Sequence, residues 1–423
     1  MLNDKMNALI DEVCSELAER EELVHTIALA LLTGKNLFVI GEPGQAKSQA
    51  IDLFRSHIAG AKQFDILMSK GTDQEQLFGR LDLASIIPGH VSHTVLNRDP
   101  RYAQMRKRLA ELMDSAQDDR GYAEISELNS RMNRYKAALA LQHEGVPEMV
   151  AANKIPESHI CFLDEIFKAN DGVLNSLLKA LNERTYTNEG VCVFIPVISF
   201  FAASNEIPNF RNPEEKSLRA LYDRFDFKVC TRYVEEKANR IKILQKKQKN
   251  IAAPMQAGIR LEDLYAMQEE VRAVKIPGSI NELADNILCE LRRKGISVTD
   301  RKYFNFSHVV QAEAWLAGQD TARPQDMKAL VNYLWDKPED REIVEEAITR
   351  LTENPLGDKL DELLARAYQY RDEFDSADNF GLALITLRNG LLAVYNEAEQ
   401  MKSGLAEADP AHSAVEGMIA TLE

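Results

Sequence analysis

Asn36-Leu37-Phe38-Val39-Ile40 runs directly into Gly41-Glu42-Pro43-Gly44-Gln45-Ala46-Lys47-Ser48-Gln49. An apolar strand, a glycine-bearing turn and then Lys-Ser is the order a phosphate-binding loop needs. The turn exposes backbone N–H groups and the next helix adds its positive N-terminal end. Lys47 reaches the β- and γ-phosphates, and the Ser48 hydroxyl ligates Mg²⁺. The pattern G-x-x-x-x-G-K-[ST] has a glycine where Ala46 stands. Alanine suits that position at the helix start if its φ is negative. A plain strand–turn–helix connection gives no reason for lysine and serine in a first helical turn, where acidic residues suit the dipole better.

A second strand, Ile160-Cys161-Phe162-Leu163, ends in Asp164-Glu165. An aspartate there can hold Mg²⁺ through water opposite Ser48. Glu165 is placed to polarise a water for attack on a γ-phosphate. Adjacent carboxylates repel one another unless a cation or water balances them, so a bare acidic turn is the weaker explanation. After the strand 197–203, Asn205 is positioned to hydrogen-bond the γ-phosphate or the attacking water, although asparagine also ends strands in ordinary turns. Arg224, just before the strand 228–231, can act as an arginine finger on a neighbouring subunit. Arg219 is its rival for that role, and an ion pair of Arg224 with Asp223 or Asp226 is the alternative. His90 and His93 have no acidic or thiolate partners nearby in sequence and read as loop histidines.

The 423 residues suffice for two or three domains. A net charge of -15 argues against broad binding to nucleic acid or anionic membrane. Five scattered cysteines without C-x-x-C spacing suit a reducing compartment. The N-terminus lacks a secretory pattern, and no apolar run approaches the roughly 20 residues of a membrane span. A soluble, cytoplasmic protein is expected.

Apolar spacing predicts helix over 4–33 and 47–59, strands at 36–40, 160–163, 191–195, 197–203 and 228–231, and helix over 173–181. Alternating helices and short apolar strands predict an α/β domain, residues 1–232, with a parallel sheet flanked by helices. Beyond about residue 233 the strand signal vanishes. An all-helical domain is expected over 233–336, and a helical C-terminal domain over 337–423.

Residues 100–152 stand apart. Met105, Leu109, Leu112 and Ala116 form one narrow apolar stripe; Ile125, Leu128, Met132, Tyr135 and Leu139 form another, with Asp118, Asp119 and Gly121 between. An antiparallel helical hairpin inserted into the α/β domain is expected. Arg101, Arg106, Lys107, Arg108, Arg131, Arg134 and Lys136 make it locally basic, which reads first as a solvated face and second as a nucleic-acid contact.

As a set, these motifs resemble an AAA+ ATPase of the MoxR family. The loop wording, Gly71-Thr72-Asp73-Gln74-Glu75-Gln76-Leu77-Phe78-Gly79, Phe162-Leu163-Asp164-Glu165-Ile166-Phe167-Lys168-Ala169-Asn170 and Tyr222-Asp223-Arg224-Phe225 are similar to its RavA branch. The resemblance implies ATP and Mg²⁺ as cofactors, Walker A contacts through Gly41 to Gln49, and Walker B roles for Asp164 and Glu165. It also implies a sensor 1 role for Asn205 and a finger role for Arg224. Ser297-Val298-Thr299-Asp300-Arg301-Lys302 resembles the lid segment carrying the sensor 2 arginine, which implies Arg301; the residues alone do not single it out. A homo-oligomeric ring, most simply a hexamer, is implied, as is a chaperone-like remodeller of protein complexes with a VWA-domain partner. The hairpin is longer than the family's usual segment, and the β-rich insertion of the fuller RavA type is missing from the tail. The rival expectation is a nucleic-acid-stimulated motor or nuclease-associated subunit using the basic hairpin.

Overall fold

The computed structural model describes residues 2–85, 87, 89–115, 119–142, 149–188, 190–212, 215, 218–249, 258–353, 355–376, 380–403 and 415–420. The chain forms two compact units, Met1–Arg272 and Ala273–Glu423.

The first unit opens with two helices, α1 (Leu2–Glu16) and α2 (Glu21–Thr33), where one helix over 4–33 was expected. The apolar spacing is continuous, but Glu19 takes a left-handed φ of 56°, which no helix continues through. α2 buries nine of its residues, including Leu23, Val24, Ile27 and Leu31, so packing holds it more than propensity does. Gly34 ends it at φ 65°, donating its N–H to Ala30 O.

Five parallel strands follow: β1 (Leu37–Ile40), β2 (Gln63–Leu67), β3 (Ile160–Asp164), β4 (Ser199–Ser204) and β5 (Phe227–Cys230). Their order across the sheet is β5-β1-β4-β3-β2. β1 and β4 are buried along their full length, as strands covered on both faces are. The edge strand β2 was not foreseen: Gln63-Phe64-Asp65-Ile66-Leu67 carries polar residues that solvent tolerates only at an edge.

The expected strand at 191–195 lies outside this sheet. Val191–Phe194 pairs antiparallel with Thr185–Asn188 in a separate ribbon after the helix Asp171–Glu183. Its residues alternate between half-buried and exposed, the pattern of a ribbon with one wet face. Helix α3 (Lys47–Ser56) stops three residues short of the expected end, because Ile58–Ala59 pairs with Ile259–Arg260. That pairing, with Leu261–Ala273 and the bond from Gln268 Nε2 to Leu31 O at 2.6 Å, ties residues 258–272 to the first unit. The strand Ile259–Arg260 lies within the span 233–336 that was expected to be all-helical, because its partner Ile58–Ala59 draws it to the first unit, and the compact units divide at 272.

The hairpin insertion comprises Pro100–Ser115 and Asp119–Gln142. Tyr102, Met132 and Leu139 bury themselves with Leu96, and Met105, Leu109, Leu128 and Tyr135 pack around them. Ala116 and Asp118 of the expected stripe and turn lie outside the described residues. Arg101, Arg106, Lys107, Arg108, Arg131 and Arg134 are exposed. Arg80–Leu81 pairs antiparallel with Met149–Val150 and joins the chain entering the insertion to the chain leaving it. Gly79 sits there at φ 85°, and a Cβ on it would lie 2.1 Å from Val150 O. Gly79→Ala combines that clash with left-handed strain. We expect it to lower the first unit's stability by about 2–4 kcal/mol, read as a lower denaturant midpoint.

The second unit is helical among the described residues, apart from an isolated bridge between Lys275 and Thr321. Lys302 is buried there, donating to Trp335 O at 3.2 Å and Asp336 Oδ1 at 2.7 Å. Pro355–Asp375 and Phe380–Ser403 pack through Leu363, Ala367, Val394 and Ala398.

Candidate functional site

Strand register brings the motifs to one end of the sheet. Ile40 is level with Ser204 on β4 and Cys230 on β5, and Asp164 is level with Ala203. The loop after β1, the Asp164-Glu165 turn and Asn205 therefore emerge side by side at the carboxyl ends of parallel strands, where α/β sheets bind ligands.

Lys47, in the first turn of α3, folds back over the loop. Its ammonium donates to Gly41 O, to Glu42 O at 3.2 Å and to Asn205 Oδ1 at 2.8 Å. Those are the three donors an ammonium has, so an incoming phosphate oxygen must replace at least one acceptor. Burial lowers the Lys47 pKa, while Glu165 and Asp164 act in the opposite direction. Ser48 Oγ donates to Asp164 Oδ2 at 3.4 Å. Asp164 Oδ1 accepts the Glu165 N–H at 3.0 Å. Glu165 Oε1 accepts from Asn205 Nδ2 at 2.5 Å, and its Oε2 lies 3.4 Å from Lys168 Nζ. Asn205 thus joins the cation of the loop to the carboxylate after β3. Sequence reading did not foresee this link, because nothing in one chain segment records its neighbour on the next strand.

The loop departs from expectation at one residue. Ala46 has φ 58°, so it occupies the left-handed region and not the negative φ expected of alanine. This costs about 1–2 kcal/mol relative to a relaxed residue. Gly44, at φ 83°, has open space around its Cβ position, and the glycine there serves the backbone. Gly41 serves packing: a Cβ on it would lie 2.1 Å from Thr231 Oγ1. Glu165 is left-handed as well, at φ 53°. Strained residues on both sides of the site match the habit of active sites to store strain that surrounding structure imposes.

The site fits the groups its residues imply. Ala46 caps α3 without a side-chain bond, so the first N–H groups of the helix lack the usual capping oxygen and suit an anion. Ser48 and Asp164 present hard oxygens to one point, as Mg²⁺ requires when phosphate and water complete its shell. Among the described residues, no three His, Cys, Asp or Glu side chains are grouped to hold a metal by themselves.

Phe38 on β1 sets the surroundings. Its ring lies 5.4 Å from Phe167, 5.4 Å from Tyr222 and 5.6 Å from Phe225, and so supports both the turn carrying Glu165 and the segment carrying Arg224. Asn36 is buried and donates to Arg224 O at 2.9 Å. The Arg224 guanidinium is half-buried, with Nη1 3.4 Å from Asp223 Oδ2 and a buried Nε that has no hydrogen-bond partner among the described residues. Arg219 is exposed. Arg301 belongs to the second unit, in the helix Asp300–Phe304, where its buried Nη1 is likewise unpartnered among the described residues. Arg20, Thr231 and Tyr233 touch the loop and had no local signal in the sequence.

Residues 4–101 and 124–269 match the family model described as the MoxR domain in the MoxR-vWA-beta-propeller ternary systems. The gap in that match falls within the hairpin. Residues 275–348 match the AAA lid domain. Two uncharacterized proteins of Methanocaldococcus jannaschii are each 29% identical to this chain. One match spans 82% of this chain and 74% of the relative, the other 78% and 71%. A structural protein of Acidianus two-tailed virus is 23% identical over 54% of this chain and 28% of its own length. Among solved structures, a candidate ATPase from Cytophaga hutchinsonii superposes with a TM-score of 0.56 at 16% identity, covering 82% of this chain and 94% of that one. It is alike in fold.

Proposed function

The chain belongs to the MoxR family of AAA+ ATPases, and on that premise we propose that it hydrolyses ATP with Mg²⁺ in a homo-oligomeric ring. The observation that carries this reading is the connected set Lys47, Ser48, Asp164, Glu165 and Asn205 at the ends of adjacent strands. In the proposed reaction the loop N–H groups and Lys47 hold the β- and γ-phosphates. Ser48 and Asp164 would hold Mg²⁺, which would supply positive charge beside the phosphate oxygens. Glu165 orients a water and takes its proton, and Asn205 fixes that carboxylate relative to the phosphate.

The finer assignments are proposals of the same kind. Arg224 supplies charge in trans to a neighbour's γ-phosphate, and Arg301 senses nucleotide from the lid. The ring is most simply a hexamer. The proposed domains are an α/β core to 232, a lid over 233–336 and a helical region beyond, with residues 258–272 of the lid segment packed in the first compact unit. The loop wording with Ala46 supports a kinship with the RavA branch. The chain acts as a cytoplasmic, chaperone-like remodeller with a VWA-domain partner, a partnership named in the description of its family model. Direct binding to nucleic acid runs against the net charge of -15.

Mixing variants tests the shared site. Arg224→Ala chains and Glu165→Gln chains are each expected to be inactive, whereas mixed rings regain turnover by pairing an intact base with an intact finger. No recovery at any ratio, in rings proven to be mixed, rules out Arg224 as the trans group. Recovery with Arg219→Ala in its place assigns the role to Arg219.

A further inference from the structure

Arg20 opens α2 and is 6% exposed. Its Nε donates to Gln45 O at 3.0 Å, its Nη2 to Arg232 O at 2.7 Å, and its Nη1 to Glu19 O. One guanidinium therefore clips the phosphate loop to the chain leaving β5. Gln45 is gripped a second time, because its Oε1 accepts from Thr231 Oγ1 at 2.8 Å. The turn carrying Arg20 is itself tied down. The Glu19 carboxylate accepts the N–H groups of Glu235 at 2.8 Å and Glu236 at 3.0 Å, and Asn239 Nδ2 at 3.0 Å.

This clip acts on the next residue. A trans peptide is planar, and its C=O and N–H point in opposite directions. Among the described residues no peptide bond is cis. Holding the Gln45 carbonyl toward Arg20 therefore directs the Ala46 N–H away from it. Ala46 sits at φ 58°, which a glycine would adopt freely and an alanine adopts only when its neighbours impose it. The three acceptors of Arg20 are backbone carbonyls, and the neighbouring carboxylates of Glu19 and Glu21 act on its charge against the effect of burial.

We infer that Arg20, together with Thr231, is a positioning residue for nucleotide binding: it clamps the Gln45–Ala46 peptide so that an alanine-bearing loop keeps the shape that receives the triphosphate of ATP. The inference rests on the ATP reading above. A lysine cannot reproduce the clamp, because one ammonium does not match a planar fork set between two carbonyls.

The test uses the full chain and a fluorescent ATP analogue with Mg²⁺. Arg20→Lys is expected to raise the Kd about tenfold and KM in step, with kcat changed less than about threefold, and to lower the melting temperature without nucleotide through the lost bonds to backbone carbonyls. A purely structural role would lower the melting temperature and leave the affinity of the folded protein intact. Wild-type affinity in a folded Arg20→Lys chain overturns the inference. If Arg20→Lys does not fold, Thr231→Val releases the other grip on Gln45 at constant shape. A severalfold weaker affinity then supports the clamp, and an unchanged one overturns it. Failure of the parent chain to bind the analogue would instead overturn the ATP reading, and is seen without any variant.

Discussion

Glu165→Gln is expected to cut ATP turnover by about 10²- to 10⁴-fold while leaving ATP binding in place, the range by which a positioned general base accelerates a reaction. Glutamine keeps the size of the side chain and can still meet Asn205, whose Nδ2 donates to Glu165 Oε1 at 2.5 Å. It cannot take a proton from water. The left-handed backbone at φ 53° aims this one side chain, and the ring of Phe167 against Phe38 holds the turn that follows. Phosphate release and equilibrium nucleotide binding, measured on the same preparation, check both halves. Turnover equal to the parent's would remove Glu165 from the role of base. The loss of binding together with turnover would make it a structural residue.

Lys47→Met is expected to act at the earlier step and weaken Mg·ATP binding by about 10²-fold or more, because in the proposed reaction the ammonium holds the β- and γ-phosphates. Without nucleotide, methionine also leaves Gly41 O, Glu42 O and Asn205 Oδ1 without the ammonium they accept from, so stability is compared with and without ATP for each protein. The clearest readout is thermal. A ligand at a hundred times its Kd stabilises a protein by about 2.7 kcal/mol, and Lys47→Met should lose that gain at the same ATP concentration. A variant that melts with the parent's full ATP-dependent shift would show that Lys47 does not hold the phosphates.

Several parts of the site were readable because each is local. Gly41 to Ser48 is a continuous stretch whose order encodes a strand, a turn and a helix start. Asp164 and Glu165 end a wholly apolar strand, and Asn205 follows another. The hairpin followed from two stripes of apolar residues that needed only each other. Errors arose where the choice of partner decides. Residues 4–33 have continuous helical spacing, yet Glu19 breaks them so that its carboxylate can meet residues 235, 236 and 239. Val191–Phe194 reads as a sheet strand but pairs with a near neighbour. The polar strand Gln63–Leu67 was unreadable because an edge strand needs little apolar signal.

The sequence by itself determined the class of fold and picked out the candidate loop 41–48 and the carboxylates Asp164 and Glu165 that lie beside it. Periodicity and motif order are properties of neighbouring residues, and they survive without coordinates. Only the tertiary structure decided how the loop keeps its shape. An alanine at φ 58° is costly alone, and it stands because Arg20, from 25 residues earlier in the chain, and Thr231, from 186 residues later than Gln45, hold the peptide before it. Such strain is imposed by contacts between segments far apart in sequence, and no local pattern records them.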